Sequence, residues 1–276
     1  MPGLEPQRLS LLPSRYSAIL LTSVPTDLRQ TDLLRALNDF APQVRVSGFA
    51  VSQSQRGLQI ASGQIAGEEI EVVVHQVPCD LTECTNFPTS ETETTIEKAL
   101  SHNAHVVVRA KGETSTRGQA LKKALVVTIA TTAIARLCSP LAVYWLDAGN
   151  LVNADIFKKM TQHTFREENR FPVLWVRNLE LNPERIEGRM HAKRIGTAGL
   201  SAFGIKELEY ETGATASFLI HAHMYSVIIH LLDTETTFSD GDTLTSGETV
   251  YSVRAISEGT FVQGPVLLLK EKRLLN

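Results

Sequence analysis

Apolar and polar positions alternate along the chain with periods that predict helices and strands in turn. Ser17 to Ser23 (SAILLTS) is a short apolar run ending before Pro25, as a buried strand would. Thr26 is placed to cap a following helix whose apolar positions Leu28, Leu33, Leu34, Leu37 and Phe40 keep largely to one face, and Pro42 stops it. Val44 to Ser52 reads as a strand with Val44, Val46 and Phe49 inward. Leu58–Ile65 and Glu69–Gln76 form a hairpin about Ala66-Gly67. Cys79 to Ser90 is a polar loop, Glu91 to Ser101 a helix and Ala104 to Ala110 a buried strand. A long helix runs from about Thr116 to Cys138. Beyond it come a strand at Leu141–Leu146, a helix capped by Asn153 and reaching about His163, and strands at Pro172–Leu181 and Ile186–His191. Ile205 to Glu211 alternates sharply, as a half-exposed strand does. A helix at Ala214–Leu232 and strands at Val250–Ser257 and Val262–Lys270 close the chain.

The two series read alike: strand, helix, three strands, helix, strand. The expected class is α+β, with two similar βαβββαβ-type halves (about 17–110 and 141–257), mostly antiparallel sheets and a long linking helix. The corresponding domains are an N-terminal extension at 1–15, a first half at 16–115, and the long helix with the second half at 116–276. The match is one of element order, not of residues. A tandem duplication and a chance coincidence both account for it.

Composition narrows the function classes. The chain has 276 residues, 43% hydrophobic and 21% charged, enough for a sizeable core. A formal net charge of −3 argues against nucleic-acid binding through bulk positive charge. Three cysteines, Cys79, Cys84 and Cys138, do not make a disulfide framework and suggest a reducing compartment. Met1 to Arg15 lacks the basic start, apolar stretch and cleavage site of a signal peptide. Ala124–Leu137 is the most apolar long stretch, but it falls short of the ~20 residues a membrane span needs. It reads as a buried helix, and a cytoplasmic protein without membrane contact is expected.

The densest polar motif is Phe238-Ser-Asp-Gly-Asp-Thr243. Asp240 and Asp242, two residues apart, have the hard oxygens that magnesium or calcium takes. The simpler reading is a turn whose carboxylates accept from backbone N–H groups. Glu207, Glu209 and Glu211 alternate on one strand, so period two points all three the same way, toward solvent, a cation or a basic partner. His221, His223 and His230 lie on one helix without the i, i+4 spacing of a metal pair. His102 and His105 flank a helix-to-strand junction and suit hydrogen bonds there, while Cys79 and Cys84 share a loop near His75. No Gly-x-Ser-x-Gly elbow, phosphate-binding Gly-Lys-Ser/Thr loop or dinucleotide fingerprint occurs. The cations Arg185, Arg189, Lys193 and Arg194 read as a solvated connector, with phosphate binding as the alternative. No catalytic residue, metal site or cofactor is assigned.

Leu141-Ala-Val-Tyr-Trp145, Phe157, Phe171-Pro-Val-Leu-Trp-Val176, the run Thr197 to Glu209 and Asp240-Gly-Asp-Thr243 occur in an order that resembles the bacterial domain of unknown function 4261. His102 to Val108 shares the likeness, which covers roughly residues 100–270. The resemblance implies a fold and no activity. By analogy of composition and fold class, the expected function is a non-enzymatic protein-binding module. Its sharper form is an immunity protein that neutralises a toxin, for example a type VI secretion nuclease effector, with Glu207, Glu209, Glu211, Asp240 and Asp242 facing the partner. The alternative is a metal-assisted hydrolase on Asp240, Asp242, Glu207 and Glu209, which requires those carboxylates to converge. A weaker third option is a small-ligand sensor in a cleft between the halves.

Overall fold

The computed structural model describes residues 16–53, 58–81, 93–166, 174–181, 185–186, 189–190, 193–212, 217–246 and 249–272. The chain forms two compact units, Met1–Leu174 and Trp175–Asn276. The division therefore falls near residue 175 and not near 115.

The first unit contains β1 (Ser17–Thr22), α1 (Gln30–Phe40), β2 (Val46–Gln53), β3 (Gln59–Ile65), β4 (Glu68–His75), α2 (Glu93–Leu100), β5 (Ala104–Ala110), α3 (Arg117–Cys138), β6 (Ala142–Trp145), β7 (Asn150–Asn153) and α4 (Ala154–Arg166). Its strands make one antiparallel sheet in the order β2-β3-β4-β5-β1-β6-β7. The strand expected to open a second half, β6, instead pairs with β1, from Ala18 opposite Trp145 to Leu21 opposite Ala142. An apolar run signals burial but not the neighbour that supplies it. All six residues of β1 are buried, so β1 needs a strand on each side, and β5 and β6 fill those places.

Thr26 does not cap α1. The helix starts from Arg29 with no side-chain cap. The Gln59 side chain accepts from Leu28 N–H (2.7 Å) and donates to Leu28 C=O (2.8 Å), which holds the chain extended until Gln30. At α3, Thr116 accepts from Gln119 N–H (3.2 Å), and Gln119 accepts from Ser115 N–H (2.9 Å), a reciprocal cap. Helix α3 packs on β1, β4 and β5 and against α1 and α4. Its Thr128 and Thr132 hydroxyls donate to the carbonyls four residues back, so both are satisfied in an apolar setting. Asn153 caps α4 as expected, accepting from Asp155 N–H at 2.9 Å. Among the described residues no helix is long and apolar enough to cross a membrane.

The β3–β4 hairpin turns through Ala66 (φ 53°) and Gly67 (φ 83°), the two left-handed positions of a type I′ turn. On β2 the register skips between Ser47 and Ala50, so Gly48 and Phe49 together face Gly63 of β3. A Cβ at Gly63 would lie 2.4 Å from Phe49 Cδ2 and 2.8 Å from Phe49 Cα. Gly63→Ala is therefore expected to cost about 1–3 kcal/mol, because backbone as well as ring must shift. A urea titration followed by circular dichroism checks this, and an unchanged midpoint would refute it.

The second unit contains β8 (Arg177–Leu181), the short pair β9 (Arg185–Ile186) and β10 (Arg189–Met190), β11 (Lys193–Ala198), a 3-10 turn (Leu200–Phe203), β12 (Leu208–Thr212), α5 (Ser217–Asp233), β13 (Thr243–Ser246), β14 (Thr249–Ile256) and β15 (Val266–Lys272). Apart from β9 and β10, the strands run β13-β14-β15-β12-β11-β8. The β12–β15 pair is parallel and the other pairs are antiparallel. The whole is an α+β protein with two mostly antiparallel sheets. The second unit has one α-helix among its described residues, so its element order does not repeat that of the first. Residues 172–173 and 214–216, expected in a strand and a helix, lie outside the described residues. The cationic connector at Lys193-Arg194 is the start of β11, an interior strand of the sheet.

Candidate functional site

The alternating glutamates do not share one solvent face. β12 lies between β11 and β15, and Leu208 and Tyr210 are fully buried. Glu207, just before the strand, is buried as well. Its Oε1 accepts from Gly199 N–H and Ser201 N–H, both at 2.9 Å, and its Oε2 accepts from the Thr197 hydroxyl at 2.8 Å. It thereby closes the start of the 3-10 turn. Glu209 is 1% exposed, and its Oε1 accepts from Thr260 N–H and from Phe261 N–H (3.2 Å). That carboxylate fastens the β14–β15 connection back onto the sheet. The fit is close: a Cβ at Gly259 would lie 2.8 Å from Glu209 Oε1, and one at Gly196 would lie 2.4 Å from the Phe261 ring. Arg194 approaches Glu209 Oε2 at 3.6 Å, too long for a hydrogen bond but close enough for an ion pair. Glu211 is partly exposed and pairs with Lys270 (2.7 Å) and Arg194 (3.4 Å). Those cations hold its carboxyl below the usual range, Lys270 most strongly.

Asp240 and Asp242 are exposed and make the turn that their sequence suggests. Asp240 Oδ1 accepts from Ala255 N–H at 2.8 Å, and Asp242 Oδ2 accepts from Ser239 N–H at 2.7 Å. Gly241 sits at φ 89°, and its N–H donates to Val253 C=O, so the turn is bound along β14. Ala255 pairs with Leu267 of β15, which pairs with Leu208 of β12. Two strand spacings, about 10 Å in all, separate β14 from the glutamate strand. Glu207 and Glu209 commit their oxygens to interior backbone N–H groups, whereas Asp240 and Asp242 bind the backbone at the surface. The convergence that a hydrolase on these four carboxylates requires is not met. Among the described residues, no three His, Cys, Asp or Glu side chains are grouped to hold a metal.

The helical histidines act separately. His221 Nε2 lies 2.9 Å from Glu180 Oε2, with Asn178 Nδ2 3.4 Å from its Nδ1, and so ties α5 to β8. His223 stacks on Tyr251 (5.1 Å) and meets Tyr210 edge-on (5.6 Å), and burial lowers its pKa. His230 is exposed.

A Cys–His contact does form in the first unit, though not with His75. Cys79 is buried, with its N–H 2.9 Å and its Sγ 3.3 Å from His102 Nε2. His102 Nδ1 lies 2.6 Å from Ala99 C=O. An Nε2 that accepts a backbone N–H carries no proton, so His102 is the neutral Nδ1–H tautomer. Its lone pair is already occupied, and the thiol gains no free base. His105 Nδ1 donates to Val77 C=O (2.8 Å), and its ring stacks on His75 at 4.3 Å. The sequence signal was present in His102-Asn-Ala-His105, but nothing in it identified Val77 and Cys79 as the partners. Cys84, and the side chains of Arg185, Arg189 and Lys193, lie outside the described residues. Burial pushes the Cys138 thiol up to about 11, which leaves little thiolate near neutral pH.

The structure thus brings Glu207 and Glu209 into the interior as backbone fasteners and leaves Asp240 and Asp242 on the surface, with Glu211 between these extremes. No curated protein and no solved structure matches the chain. Residues 196–270, which contain both buried glutamates and the Asp-Gly-Asp turn, match the family model of a domain of unknown function, DUF4261.

Proposed function

We propose that the chain is a non-enzymatic protein-binding module, and more narrowly a bacterial cytoplasmic immunity protein that neutralises a toxin by direct binding, for example a type VI secretion nuclease effector. One observation carries this reading: Asp240 and Asp242 are exposed carboxylates already fixed in place by backbone hydrogen bonds. The connector Asp233–Asp242 holds four carboxylates (Asp233, Glu235, Asp240, Asp242) and no lysine or arginine. Charge ordered in advance steers a basic cleft without the entropy cost of immobilising side chains on contact. Glu207 and Glu209, being internal, leave the set of partner-facing residues, and Glu211 contributes at its margin.

The test uses the full chain and a toxin that it neutralises in a growth assay. Asp240→Asn/Asp242→Asn removes both charges but keeps an oxygen to accept from each N–H. The association rate is expected to fall about three- to tenfold at low salt, and the wild type and variant should converge as salt screens the charges. Either a failure to bind any toxin stoichiometrically or an unchanged association rate overturns the reading.

A further inference from the structure

We propose that one pole of the first unit is a docking surface for an acidic protein partner, distinct from the Asp-Gly-Asp turn and independent of it. The topology assembles the pole. β1 ends at Thr22, opposite the first residue of β5, and Leu21 lies opposite the first residue of β6. β7 ends at Asn153, opposite that same residue of β6. The C-terminal ends of α2 and α3 and the N-terminal end of α4 therefore arrive together beside the β1–α1 connection.

Each arriving end presents an aliphatic side chain to solvent: Val24 (61% exposed), Leu100 (53%), Leu137 (39%) and Ile156 (46%). Among the described residues of this unit these are the large apolar side chains left exposed. Their neighbours are linked. Asn103 donates to Thr22 C=O (2.9 Å) and Ser23 C=O (3.1 Å), joining the end of α2 to Val24. Thr26 lies beside the Cys138 thiol, which brings the end of α3 to the same connection. Single exposed aliphatics are ordinary, but a group of four gathered by the fold marks an interaction site.

Charge selects the occupant. Lys158 of α4 pairs with Asp155 at 2.8 Å and holds it below its usual range, with weaker electrostatic support from Lys159 and from Lys98 of α2. On these two helix ends Lys98, Lys158 and Lys159 outnumber Glu97 and Asp155, in a chain whose net charge is −3. The complementary surface is a protein patch with aliphatic or aromatic side chains ringed by Asp and Glu. An anionic membrane fits less well. Surface binding to lipid generally takes clusters of about four to eight cations or one amphipathic helix, whereas these apolar groups come from three helix ends and a loop.

The experiment places p-benzoylphenylalanine at Val24 or at Leu137 of the full chain in its native host, with Leu219, exposed on α5, as the control position. One protein is expected to crosslink from both pole positions and not from Leu219. With that protein purified, Lys98→Glu/Lys159→Glu is expected to weaken its affinity at least tenfold without changing the melting temperature. The proposal is overturned if neither pole position yields a product, if the product is a second copy of this chain, or if the charge reversal leaves affinity unchanged. Binding to phosphatidylglycerol vesicles that is lost in the same variant would also overturn it, by making lipid the occupant.

Discussion

Glu207→Ala is expected to remove about 3–5 kcal/mol of stability from the second unit, and Glu207→Gln only about 1–2. The alanine leaves Gly199 N–H and Ser201 N–H without their acceptor and frees the Thr197 hydroxyl that Glu207 orients. Thr197 is itself committed, because its oxygen accepts from Leu208 N–H at 2.8 Å. The defect therefore spreads from the 3-10 turn into the first residue of β12. Glutamine keeps an oxygen for the two N–H groups and turns its amide toward Thr197. The hydroxyl proton must then turn to Leu208 C=O, 3.5 Å away, so the loss is real but small. The second unit contains a single tryptophan, Trp175, fully buried. In a Trp145→Phe background its emission reports this unit alone during urea unfolding. Equal losses for the two variants would mean that carboxylate charge, not hydrogen-bond geometry, is what the fold needs.

That pair of variants bears on why the acidic strand was misleading in the sequence. Polar residues at period two ordinarily mark a solvated face, and Glu207, Glu209 and Glu211 obey the spacing. A carboxylate can be interior when backbone N–H groups come to it, and here they come from chain that folds back: Gly199 and Ser201 for Glu207, Thr260 and Phe261 for Glu209. No local pattern announces such returns. The bare glycines at 196 and 259 were the available hint, since both make room for the returning segment. Arg194 likewise reads locally as part of a cationic connector, although its partners Glu209 and Glu211 sit on the adjacent strand. The Asp-Gly-Asp turn was legible because its chemistry is local: a glycine at positive φ and an Asp that accepts from an N–H three residues back.

The elements of the first unit were readable for the same reason. Their burial periodicity, the Ala66-Gly67 turn and the cap at Asn153 are all short-range. Which strands pair is long-range, so the sequence marks β6 as a strand without marking β1 as its neighbour. The strands β7, β11 and β13 were missed because four to six residues with few large apolar side chains carry little periodic signal. The histidines of the first unit belong to the long-range class too, and their consequence is testable.

Lowering the pH from 7.5 to 5 is expected to destabilise the first unit by on the order of 2 kcal/mol through His105 alone. Burial chiefly, with His75 beside it, pushes the His105 pKa down to about 3, and burial also lowers those of His75 and His102. Each ring is held neutral in the folded state but takes a proton in the unfolded chain near pH 6.5. The unfolded state thus binds more protons below that value. The stability is complete above pH 6.5 and is lost progressively as pH falls from there toward the folded value. Geometry gives the same sign. A proton on His102 Nε2 would turn the acceptor of Cys79 N–H into a second donor, and a charged His105 would lie against His75 at 4.3 Å. The bonds to Val77 and Cys79 hold the chain as it leaves β4, so the strain falls on residues 76–81 first. His105→Asn supplies an amide N–H for Val77 C=O and cannot titrate. Its urea midpoint, followed by Trp145 in a Trp175→Phe background, is expected to start lower at pH 7.5 and to fall less by pH 5. A wild type as stable at pH 5 as at 7.5, or a variant with the same slope, would show that the histidines are not the acid-sensitive groups of this sheet.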